Sequence, residues 1–119
     1  MPRIIRVFLF VVFFLAACSI TQPVAVIGED GRILTGSATA DLSNSYFQVS
    51  DGKLTCSGNY DGLNTSATIT MGVTCSDGRK GFLTAFREAS GQAGSGTVTL
   101  NDGYKANFVF GNAAKPFMN

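Results

Sequence analysis

The chain contains no histidine and no tryptophan, and only 14% of its 119 residues are charged. Without histidine, the commonest general base and the commonest metal ligand are missing, so His-dependent catalytic triads and His-containing zinc sites are excluded. An excess of one charge sign is missing too. Nine Lys+Arg stand against eight Asp+Glu, which is not the basic field that phosphate backbones require, and no nucleic-acid partner is expected. Helical periodicity is absent from residue 18 onward: no 11-residue window keeps apolar residues at a 3.6 spacing. At this length there is room for one domain.

Long apolar runs are also absent, with one exception. Arg3 and Arg6 precede the uninterrupted run Val7 to Ala17. Eleven apolar residues suit the core of a signal peptide, whereas a membrane-spanning helix needs about 20. Extending the run back to Ile4 would bury Arg6 at membrane depth, which is costly. The run ends in Leu15-Ala16-Ala17-Cys18.

Residues 1–18, taken together, resemble the signal peptide and lipobox of bacterial lipoproteins. The resemblance implies cleavage between Ala17 and Cys18 and a diacylglyceryl group on the Cys18 thiol. It also implies acylation, typically palmitate, of the new amino group. Several acyl chains exceed the two signals needed for stable anchoring. Ser19 in place of an aspartate points, within that family, to the outer membrane. On this reading residues 1–17 are the signal peptide, 18–22 a lipidated tether, 23–111 the folded domain and 112–119 a frayed C-terminal tail.

Residues 18–119 carry seven basic and eight acidic side chains and all 14 glycines. Asp-Gly occurs five times, at Asp30-Gly31, Asp51-Gly52, Asp61-Gly62, Asp77-Gly78 and Asp102-Gly103. Between alternating runs this dipeptide is a strong hairpin signal, because both residues tolerate the positive φ of hairpin turns. The flanking runs are rich in Thr, Val, Ile, Phe and Tyr, which favour strands. The expectation is an all-β domain: a small antiparallel meander of about eight strands, closed as a barrel or folded as a two-sheet sandwich.

Register follows from asking which loop length places apolar residues on one face. A two-residue Asp77-Gly78 loop sets Val73 opposite Phe82 and Ile69 opposite Phe86, leaving Arg79, Leu83 and Arg87 outward as an interaction surface. A two-residue Asp51-Gly52 loop pairs Val49 with Leu54 and Phe47 with Cys56. At Asp102-Gly103 only a three-residue loop works, pairing Leu100 with Tyr104 and Val98 with Ala106 and turning Tyr104, Ala106, Phe108 and Phe110 inward.

Cys56 and Cys75 remain after lipidation, both on predicted inward faces. In an oxidising envelope an even pair reads as a disulfide. No Cys-x-x-Cys spacing suggests redox activity. Gly91–Gly96 has the glycine density of a phosphate-cradling loop but no following helix, and reads as a strand connection. Asp41, Asp61 and Glu88 read as solvated loop carboxylates rather than an acid–base pair.

No catalytic residue, cofactor or metal site is expected. The leading functional expectation is a non-catalytic envelope lipoprotein that serves as a protein-interaction or structural module. It would meet the membrane through its lipid and an envelope protein through its folded domain. Two alternatives are an inhibitor of a host or envelope hydrolase and a small-ligand-binding β-barrel. Barrels of this size tend to be filled by their own side chains, which weighs against the last.

Overall fold

A computed structural model describes residues 20–41, 45–61, 66–89 and 93–118. Ala17 and Cys18 lie outside these, as do Asp61's partner Gly62 and the first two residues of the Gly91–Gly96 stretch.

Eight antiparallel strands form a closed barrel in chain order. They are β1 (Ile20–Gly28), β2 (Ile33–Ala40), β3 (Ser45–Ser50), β4 (Thr55–Tyr60), β5 (Thr68–Cys75), β6 (Lys80–Arg87), β7 (Ala93–Leu100) and β8 (Lys105–Gly111). β8 returns to pair with β1, so Val26 meets Phe108 and no edge is left unpaired by the strand order. The all-β expectation therefore holds, in its barrel form.

Alternation along the strands builds the core. Val24, Leu34, Phe47, Val49, Met71, Val73, Leu83, Val98, Leu100 and Phe108 all point inward and are buried. Phe47 and Phe108 meet edge to face across the interior, with ring centroids 5.4 Å apart. Glycines at Gly81 and Gly96 let the sheet coil tightly. A Cβ at either position would lie about 2 Å from a carbonyl oxygen of the next strand, that of Thr99 or Thr84.

Four of the five Asp-Gly pairs turn the chain at one end of the barrel. Gly31, Gly52, Gly78 and Gly103 there have φ between 86° and 93°, a region L side chains rarely enter. Three of these turns share one design. The Gly78 amide donates to the Cys75 carbonyl (3.0 Å) and the Cys75 amide to the Arg79 carbonyl (2.9 Å), enclosing Ser76-Asp77-Gly78. Glu29-Asp30-Gly31 and Asn101-Asp102-Gly103 close in the same way.

The expected register for β7 and β8 is observed, with Val98 opposite Ala106. At β3 and β4 the inward faces are as expected but the pairing is shifted by two residues: Val49 meets Cys56 and Phe47 meets Gly58. At β5 and β6 the expectation is overturned. The three-residue turn pairs Val73 with Gly81, Met71 with Leu83 and Ile69 with Ala85. That one-residue slip reverses the faces of β6. Leu83 is fully buried, while Phe82 and Phe86 stand outside at 68% and 57% exposure. The expectation places the larger Phe82 and Phe86 in the core, whereas the register set by the longer turn sends Leu83 and Ala85 inward instead.

Two boundaries also differ. β1 begins at Ile20, not Pro23, so residues 20–22, expected to be part of a tether, belong to the sheet. Residues Asn112–Phe117, expected to fray, form a 3-10 helix packed on the outside of β1 and β8. Ala114 of that helix and the outward-facing Ala25 are both wholly buried, so the tail covers a small apolar part of the outer wall.

Candidate functional site

The two ends of the barrel are built differently. At the turn end, each aspartate fixes its own loop by accepting the amide two residues on. The carboxylates of Asp30, Asp51, Asp77 and Asp102 accept the amides of Arg32, Lys53, Arg79 and Tyr104 at 2.9–3.1 Å. The turns are then linked in a ring. The Arg32 guanidinium donates to Asp51. Cys56 and Cys75 form the expected disulfide between β4 and β5, with Cα atoms 4.0 Å apart. Arg79 donates to Asp77 (2.8 Å) and Asp102 (3.3 Å) and lies 5.1 Å over the Tyr104 ring. The Tyr104 hydroxyl closes the circuit by donating to Asp30 at 2.7 Å.

This ring perturbs its ionisable groups. Accepted hydrogen bonds hold all four aspartates below the usual carboxylate range, with the Tyr104 hydroxyl the leading cause at Asp30 and turn amides at the others. Desolvation, assisted by the bond to Asp30, pushes Tyr104 up to about 12. These shifts follow from turn capping and end closure, and do not assemble an acid–base pair. Behind the ring, Leu54, Val73, Leu100 and Tyr104 fill the interior down to a residual void of about 30 Å³, room for roughly one water.

At the opposite end the described residues leave the interior unfilled. A cavity of about 230 Å³ lies there, walled by Ala38, Ile69, Met71, Ala85 and Phe110 and floored by Phe47 and Phe108. Its origin is a gradient of side-chain size along the inward rows. Val49, Leu54 and Val73 fill the turn end, while Ala38, Ala40 and Ala85 leave space at the other. Ile20 and the polar side chains of Gln22, Tyr60 and Arg87 also line it. The Tyr60 hydroxyl donates to the Thr39 carbonyl at 3.4 Å. Burial raises the Tyr60 pKa, and the nearby Arg87 charge opposes the rise. The cavity thus pairs apolar walls with hydrogen-bonding groups and one cation, a composition suited to a small apolar or amphiphilic molecule.

The expected outward surface of Arg79, Leu83 and Arg87 does not exist as such. Arg79 belongs to the turn-end ring, Leu83 is core, and Arg87 lines the cavity. What β6 presents outward is Phe82, Thr84 and Phe86, beside Thr70 of β5 and Thr97 and Thr99 of β7. Ala93–Gly96, read as part of a connection, belong to β7. Among the described residues no group of three or more Cys, Asp or Glu is placed to hold a metal ion.

Of the cavity-lining residues, sequence singles out Arg87 as a site residue, on an outward surface, and turns Phe108 and Phe110 inward as core, without indicating a hollow. Ala38 and Ala40 alternate visibly, yet small inward residues reveal a hollow only once the register around the whole barrel is known.

No family model matches the chain, and no curated protein matches it. Two solved structures are similar in fold. A redesigned β-barrel superposes with a TM-score of 0.59 at 20% identity, covering 77% of this chain and 88% of that one. A de novo designed fluorescence-activating β-barrel gives 0.55 at 17% identity, covering 76% and 89%. Both are small β-barrels, in agreement with the architecture described above.

Proposed function

We propose that the chain is a lipid-anchored protein of the bacterial cell envelope, held at the outer membrane through Cys18, whose barrel binds a small apolar or amphiphilic molecule. No chemical step is part of the proposal. One observation carries it: a largely apolar cavity of about 230 Å³ that the described residues leave at one end of the barrel. For scale, an engineered cavity of about 150 Å³ in another protein admits benzene. The envelope location is supported by the order of charge, apolar run and cysteine in residues 1–18.

Titration of the purified protein with an environment-sensitive apolar dye tests the binding function. The expected result is a saturable fluorescence gain at one dye per chain, abolished in Ala85→Phe, which fills the cavity. Absence of saturable binding, or unchanged binding in a folded Ala85→Phe variant, would refute it. The anchor is tested separately by Cys18→Ser, which should lose lipid labelling and accumulate as uncleaved precursor.

A second reading, a protein-interaction module, is favoured by the outer wall of β6. Phe82 and Phe86 expose apolar rings on a Thr-rich face, and such patches mark contact surfaces when large. A photo-crosslinking residue at Phe82 should then capture one envelope protein in intact cells. Adducts to many proteins in proportion to their abundance would count against it.

A further inference from the structure

The cavity lies beside the start of β1. Ile20, the first residue of β1, lines the cavity, and Cys18 precedes it by two residues. Two residues span at most ~7 Å. Any acyl chain attached at Cys18 therefore starts beside the hollow end of the barrel, on the side away from the closed ring of turns.

Shape and chemistry narrow the occupant further. The interior of an eight-stranded barrel is just wide enough for side chains or one small ligand. At roughly 30 Å³ per water-sized group, the cavity holds about seven or eight methylenes, part of one chain but not a pair of chains. Its floor is aromatic, at Phe47 and Phe108, and its polar members are Gln22, Tyr60 and Arg87.

We infer that the cavity beside Ile20 is a binding site for a single fatty-acyl chain. This deepens the ligand-binding reading above and takes its positional argument from the lipid anchor. The chain comes either from the protein's own lipidated Cys18 or from a bilayer lipid, and both sources present the same methylenes to the same walls.

The test is photo-crosslinking in intact cells fed a fatty acid that bears a diazirine and an alkyne, with the full-length protein recovered and its adducts mapped. Adducts on the peptides containing Met71, Ala85 or Phe110 are expected, at least ten-fold fewer in Ala85→Phe. Ala38→Leu, on a different strand, provides a second filled variant should the first fail to fold. An adduct joining the barrel to the Cys18 peptide identifies the protein's own acyl chain. An adduct with the mass of a free lipid identifies the bilayer. Lumen adducts without label on Cys18 would uphold the acyl site and refute the anchor. Label on Cys18 with no adducts to the lumen peptides would uphold the anchor and overturn this inference. Equal lumen labelling in folded filled variants would overturn it as well.

Discussion

Removing the Cys56–Cys75 bridge with the double variant Cys56→Ala/Cys75→Ala should weaken the barrel at its most poorly paired seam. Among the described residues β4 and β5 are in register at two residue pairs, Cys56 with Cys75 and Ser57 with Thr74. Every other neighbouring pair of strands has between five and eight. The bridge spans a sequence separation of 19 residues. In the chain-entropy model, closing a loop of about that size stabilises the native state by roughly 3 kcal/mol. With a urea slope of ~1–2 kcal/mol per molar for a domain of this size, the midpoint should fall by ~1.5–3 M. Far-UV circular dichroism can follow the transition, since there is no tryptophan to report it. Hydrogen exchange provides a local check. The Ser76 amide, which donates to the Thr55 carbonyl across the seam at 2.7 Å, should lose protection before the amides of β7 and β8. A midpoint shift below ~0.5 M, with an unchanged slope, would refute the argument that the covalent link holds the seam closed.

Further outcomes follow from the register, the charged ring and the C-terminal helix. Leu83→Ala should cost ~2–5 kcal/mol by leaving a core cavity, whereas Phe82→Ser, on the outer wall, should stay within ~0.5 kcal/mol; thermal or urea unfolding distinguishes them. The four turn aspartates are held below their ordinary range, so their contribution is present above the unfolded carboxylate value near ~3.9 and is lost as pH falls through their folded values. Asp51→Asn should flatten the acid limb of a stability–pH curve. Tyr104 shifts the other way: its contribution is full below ~10 and is lost as pH rises toward about 12, a limb that Tyr104→Phe should remove. Ala114→Asp, placing a charge at a wholly buried position, should detach the 3-10 helix and speed proteolysis after Gly111.

Much of this molecule can be read from residue order alone. β-rich runs punctuated by Asp-Gly determine an antiparallel all-β chain with about eight strands, because glycine at positive φ and strand alternation are local properties. The Cys56–Cys75 pairing and the inward set of β8 follow in the same way. Loop length is less local. Asp-Gly fits both two- and three-residue turns, and the three-residue form at Asp77-Gly78 sends Leu83 inward and Phe82 outward, a one-residue difference in register that the dipeptide alone does not fix. Closure into a barrel was likewise decided beyond the sequence pattern, by β8 reaching β1 and by inward glycines that allow tight coiling. The cavity is the least local feature of all. Ala38 and Ala40 of β2 are far along the chain from Ala85 of β6, and only the tertiary register brings these small side chains to the same end of the barrel, where they leave space unfilled.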